Sequence, residues 1–188
     1  MVHITPFFLL SIATGISLAT PTERTVPQVL ADINVVSTRV TSLDNAITAF
    51  PLTGGSLVAA LGIHTSAGTV ITSLKAATGN ATGPVDEIDG NSILNAVQAF
   101  EPTIQHALAE IVVKKPAFVV SMTEDKLIAL PVGGLPLLIL QDLRFLKGNT
   151  TEFSSALIEN APESLIPAAT ALQNGILESF DTAISAYT

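Results

Sequence analysis

Apolar residues stand at Val26, Val29, Ile33, Val36, Val40, Leu43, Ile47 and Phe50, spaced alternately by three and four, which only an α-helix gathers into one continuous seam. That stripe sets the fold class. At 1.5 Å per residue the helix runs for roughly 37 Å, and it cannot hide such a seam alone, so later segments must supply matching faces.

They do so four times. Ser56 can cap a second helix whose inner face reads Leu57, Ala60/Leu61, His64, Ala67/Gly68, Ile71 and Leu74, ending before Gly79. Gly79 to Gly90 reads as a turn-rich solvated connector, because Asp86, Glu87 and Asp89 lack the alternating-ligand pattern of a calcium loop. Asn91 or Ser92 then caps a third helix with Ile93, Val97, Phe100, Ile104, Ala107/Leu108 and Ile111 on one side and Pro102 as its kink. Lys114 and Lys115 complement the dipole of its last turn, and Pro116 ends it.

Residues 117–136 have no clean period. From Ile139 a fourth seam runs through Leu143, Leu146, Thr150, Phe153 and Leu157, and it passes Gly148 without slipping. One helix with a weak point at Gly148 is favoured over two split there. Asn160 caps a last helix, with Pro162 and Glu163 in its first turn and Leu165, Ala169, Leu172, Ile176, Phe180, Ile184 and Tyr187 as its seam. The expectation is an all-α antiparallel bundle of about five long amphipathic helices.

Residues 1–19 carry the apolar run Phe7 to Ile12 and end in Ser17-Leu18-Ala19, which reads as a secretory signal peptide and its cleavage site. No later segment reads as a transmembrane helix, since Leu127 to Leu140 is short and broken by Pro131, Gly133, Gly134 and Pro136. Residues 20–188 suit a single domain. That domain contains no cysteine, so packing alone must stabilise it outside the cell. A net charge of -8 repels nucleic acid and anionic membranes. With 48% hydrophobic residues and a mean hydropathy of +0.55, there is more apolar material than a small bundle's core requires. The surplus must line a cavity, form an adhesive surface, or both.

Catalytic signatures are missing. The sequence contains no G-x-S-x-G, H-E-x-x-H, P-loop or G-x-G-x-x-G. His64 and His106 lack a second histidine at i+3 or i+4, so no metal or other cofactor is expected. His64 falls on the second seam as a core or cavity residue, and His106 lies off its seam at the surface. Asn80 and Asn149 head the two N-glycosylation sequons, the first in a loop and the second requiring the outer face of the fourth helix.

Several phrases bear a family likeness: Val29 to Ile33 and Leu43 to Ile47, the run IVVKKPAF at Ile111 to Phe118, Leu140 to Arg144, FSSALI at Phe153 to Ile158, and Ile176 to Tyr187. In that order, and without cysteines, the chain resembles the fungal hydrophobic-surface-binding protein A family, also called cell wall galactomannoproteins. The resemblance implies a helical bundle that is secreted or resident in the cell wall, and no catalytic residue. It also implies two activities, enclosing a long-chain fatty acid between helices, and adsorbing to hydrophobic surfaces to recruit polyester-degrading enzymes. The chain departs from the family at 119–132, which is either an inserted loop or a translated intron.

Small and polar seam positions leave room for a ligand. A non-enzymatic fatty-acid tunnel would be lined by Val36, Val40, Leu61, His64, Ile104, Leu108, Leu143, Thr150, Phe153, Leu157, Ile176 and Phe180, with His64 or Thr150 meeting the carboxylate. At about 0.8 kcal/mol per CH₂, a sixteen-carbon chain contributes on the order of 10 kcal/mol before entropic costs.

Overall fold

The computed structural model describes residues 25–120 and 134–188; the expected signal peptide and positions 121–132 of the departing segment lie outside them. Within them are five long helices, α1 (Val26–Ala49), α2 (Leu57–Asn80), α3 (Glu87–Val113), α5 (Gly134–Glu159) and α6 (Ile166–Tyr187), and the six-residue α4 (Lys115–Val120). The seam that α1 buries is the expected one, from Val29 through Ile33, Val36, Val40 and Leu43 to Ile47.

Each long helix packs along two others, α1 on α2 and α3, α2 on α5, α5 on α6, and α6 on α3. The result is a closed ring in the order α1, α2, α5, α6, α3. Cross-helix bonds fix the directions. Asp32 meets Asn80 and Asp44 meets His106, so α1 runs opposite to α2 and along α3. His64 meets Asp142 and Ala81 meets Asn160, which makes α2 and α5 parallel. Lys147–Asp181 and Ser154–Gln173 set α6 against α5. Successive long helices therefore alternate up and down along the chain, while three of the five ring contacts join parallel neighbours.

Both ends are tied. At the upper end α4 carries the fully buried Phe118, whose ring stacks on Phe50 at 4.3 Å between centroids and 8° between planes. The loop after α1 turns at Gly54 (φ 70°) and lays Gly55 against the Phe50 ring, where a Cβ would stand 2.1 Å away, so a side chain at Gly55 would displace Phe50 from that stack. At the lower end the Val85 N–H donates to the Asn160 carbonyl at 3.1 Å, and the Asn160 amide donates to the carbonyls of Ala81 and Ala156.

Several boundaries differ from expectation for local reasons. The acidic connector is the start of α3, because Asp86 accepts from the backbone N–H of Ile88 and Asp89, and Glu87 and Asp89 sit in a first turn that favours negative charge. α3 runs on through Pro102 to Val113. Pro116 does not stop helical structure, since it occupies the first turn of α4, where its missing N–H costs nothing. Lys114 caps α3 with its Nζ 3.8 Å from Glu110 in the last turn and also reaches the Thr48 carbonyl at the end of α1, whereas Lys115 belongs to α4 and reaches the Ala186 carbonyl at the end of α6. α5 begins at Gly134 rather than Ile139, with Pro136 in its first turn, and continues unbroken through Gly148. Asn160 and Pro162 form a turn instead of a cap, and α6 opens at Ile166 with Pro167 in its first turn.

α2 is rotated relative to the expected face. It buries Ala60, Ile63, Ala67, Val70, Leu74 and Ala77, which leaves Leu61 38% exposed and His64 at the rim. Its small, weakly contrasted residues carry little moment, so neighbouring packing decides its rotation.

Candidate functional site

The ring encloses a cavity to which every long helix contributes. α1 supplies Val36, Val40, Leu43 and Ile47; α2 supplies Ile63, Ala67, Val70 and Leu74; α3 supplies residues from Val97 to Ile111; α5 supplies Ile139 to Leu157; and α6 supplies Ile176 and Phe180. The cavity has a volume of about 100 Å³, where a single water needs roughly 10–15 Å³. Apart from Asp142, Thr150 and Ser154, the described residues of its wall are apolar.

A second cavity of about 60 Å³ lies below the first, lined by residues such as Val85, Leu94, Leu165, Leu172 and Gln173. The two share Val97, Ser154, Leu157 and Ile176. Those four residues form a waist between them. Polar chemistry gathers there, since the Gln173 amide donates to Ser154 Oγ at 2.7 Å and to Ser155 Oγ at 3.3 Å, while the Ser154 hydroxyl donates to the Thr150 carbonyl at 2.7 Å.

Ten of the twelve residues expected on a tunnel wall stand on the upper cavity: Val36, Val40, Ile104, Leu108, Leu143, Thr150, Phe153, Leu157, Ile176 and Phe180. Leu61 and His64 do not. Their place on α2 is taken by Ile63 and Ala67, a consequence of the rotated face. His64 instead approaches Asp142 from the rim, its Nδ1 2.9 Å from both carboxylate oxygens, with the ring side chain 45% exposed and the carboxylate 11%. Burial pushes the Asp142 carboxyl above the usual carboxylate range, and the His64 hydrogen bond draws it part of the way back.

Sequence reasoning missed Asp142, Ser154 and Gln173. Each stands beside a hydrophobic seam residue, Leu143, Phe153 and Leu172 respectively. A polar residue adjoining a seam position was the available signal. His106 lies at the surface as expected, its Nδ1 2.7 Å from Asp44 Oδ1. Among the described residues no His/Asp/Glu cluster could hold a metal ion.

Asn149 is buried, not outward-facing. Its amide donates to the Phe145 carbonyl at 2.7 Å and its Oδ1 has no partner, so the folded chain does not present this nitrogen to a glycan. Asn80 is the last residue of α2 rather than a loop residue, and its amide donates to Asp32 at 2.6 Å. A glycan there would have to replace that bond.

The architecture has known counterparts. A crystal structure of the fungal protein AfMP4p in complex with palmitic acid is similar over 87% of this chain and all of that one, at 23% identity and a TM-score of 0.77. Ligand binding domain 1 of the Penicillium marneffei MP1 protein, complexed with arachidonic acids, is similar over 88% of this chain and 99% of its own (15% identity, TM-score 0.73). Ligand binding domain 2 of that protein, complexed with multiple arachidonic acids, covers 89% and 98% (15% identity, TM-score 0.74). No curated protein matches the sequence. One family model, described as hydrophobic surface binding protein A, matches residues 26–159.

Proposed function

The chain belongs to the hydrophobic surface binding protein A family, and we propose that it is a non-catalytic carrier, acting outside the cell, that holds a long-chain fatty acid inside its ring of helices. One observation carries this reading: an apolar cavity bounded by all five long helices, with the Thr150 and Ser154 hydroxyls close together on its wall and the Gln173 amide beside them in the adjoining lower cavity. Apolar lining repays an acyl chain for leaving water, and a few placed polar groups orient it. Structures of the same fold come from proteins crystallised with palmitic and arachidonic acids.

The carboxylate sits at the waist, where the Thr150 hydroxyl can donate to it directly and the Gln173 amide can donate by exchanging one of its bonds to Ser154 and Ser155. Placing it beside Asp142 would set two carboxyl groups against each other in a poorly solvated space. The tail runs upward past Phe153, Leu143 and Val40 toward Ile139.

Native mass spectrometry and calorimetry on delipidated protein, with saturated acids from eight to twenty carbons, test the reading. A defined complex whose affinity rises with length to about sixteen carbons is expected, weakened about tenfold when Ala67→Leu fills the wall. Absence of any complex across the series refutes the carrier.

A second reading, adsorption to hydrophobic solids where hydrolases gather, is favoured by the outer face of α2. Val58 is 80% exposed, Leu61 is partly exposed, and Thr65, Thr69 and Thr72 turn their hydroxyls back onto carbonyls of their own helix. The helix is long and apolar enough to cross a membrane by length and composition, at mean hydropathy 1.5. Retention on hydrophobic beads should fall when Val58 and Leu61 are both changed to Ser, with fatty-acid binding unaltered; unchanged retention refutes adsorption through this face.

A further inference from the structure

Within the upper cavity Asp142 is out of keeping with its surroundings. Among the described residues it is the sole ionisable one on that wall, and its carboxylate is largely shielded from bulk water. His64 engages it from the rim, yet a carboxylate has about four acceptor sites, and one ring N–H leaves most of them open. Asp142 and Ser154 also share one helix, twelve residues apart, which places them about 18 Å apart along α5. At about 3.6 Å for every three bonds of an extended chain, that distance accommodates about fifteen bonds, a chain of about sixteen carbons.

We propose that the cavity is built for an ω-hydroxy fatty acid of about sixteen carbons, its carboxylate at the Ser154/Gln173 waist and its terminal hydroxyl donating to Asp142. This deepens the carrier reading and rests on it. A methyl-ended chain of the same length displaces water from Asp142 and offers no hydrogen bond in return. A hydroxyl end restores the bond, and a site built to accept from a hydroxyl discriminates against an analogue lacking it. A terminal carboxylate would meet Asp142 charge against charge. Asp142 therefore acts as a specificity determinant at the far end of the chain, and His64 holds its carboxylate from outside the cavity.

The test is calorimetry on delipidated protein with matched ligand pairs. 16-Hydroxyhexadecanoate should bind about tenfold more tightly than hexadecanoate, and hexadecanedioate more weakly than either. 12-Hydroxydodecanoate should gain nothing over dodecanoate, because its hydroxyl stops about 5 Å short of Asp142. Asp142→Leu should abolish the advantage of the hydroxy acid while leaving hexadecanoate bound at least as tightly, and Asp142→Asn, which keeps an acceptor carbonyl, should retain part of it. Equal affinity of wild-type protein for hexadecanoate and its 16-hydroxy form overturns this proposal with the carrier intact. If neither acid binds, the carrier reading fails and takes this proposal with it.

Discussion

Three side chains at the upper end each reach a carbonyl that a neighbouring helix leaves without an intrahelical partner: Tyr187 Oη to Ile111 at 2.7 Å, Lys114 to Thr48, and Lys115 to Ala186. Buried among apolar groups, the Tyr187 phenol is pushed above its ordinary range. Tyr187→Phe should lower stability by about 1 kcal/mol in urea titrations, with the m-value unchanged. On the outer surface, the hydrogen bond that the His106 ring donates to Asp44 raises the His106 pKa above 6.5, helped by the charges of Asp44 and Glu110. A raised folded-state pKa stabilises fully below the unfolded value of about 6.5, and that contribution is lost as pH rises through the folded value. NMR titration should place the His106 midpoint above 6.5, and Asp44→Asn should bring it down; melting curves of wild type and His106→Ala should converge at high pH. None of these partnerships was legible in the sequence. Tyr187 and Ile111 read as seam residues, but a seam gives a direction around the helix and says nothing of which carbonyl a hydroxyl will meet.

Elements were far more legible, because five strong periodicities each demanded a buried face. Their ends were less so. Asp86, Asn91 and Ser92 are all acceptable caps within seven residues, and local chemistry alone cannot choose among them. Likewise Pro162 and Pro167 both suit a first turn. α4 is too short to carry a period, and it is recognisable only once Phe118 is seen stacked on Phe50. α2 went astray differently: its periodicity was found, but Ala, Gly and Thr distribute hydrophobicity so evenly that the face was misplaced, carrying Leu61 and His64 with it. Gly148 gives an element-scale test. It lies exposed within α5, and a Cβ there would meet nothing within 4 Å. Gly148→Ala should therefore stabilise by about 0.5–1 kcal/mol, visible as a melting temperature higher by about 1–4 °C. A similar gain is not expected at Gly90, where a Cβ would press within 2.9 Å of Leu165 and Pro162.

At the scale of the molecule, ten expected tunnel residues arrived on one wall because strong seams converge on a common interior, whatever the order of the helices around it. That order itself was not legible, since amphipathic faces do not name their neighbours. Ligand linkage belongs to this scale. Palmitate at one hundred times its dissociation constant should raise the unfolding free energy by about 2.7 kcal/mol, and an unshifted melting temperature under that load would contradict carriage in the core. The ring of five has one more consequence. Axes spaced about 9–10 Å apart place the corners of a pentagon about 8 Å from its centre. Helix bodies about 5–6 Å in radius then leave a bore about 2–3 Å in radius, wider than four helices would leave and narrower than two hydrocarbon chains abreast. A fatty acid carried as proposed would therefore enter in single file and be measured by its length, and a second acyl chain would fit only end to end, in the smaller chamber beyond the waist.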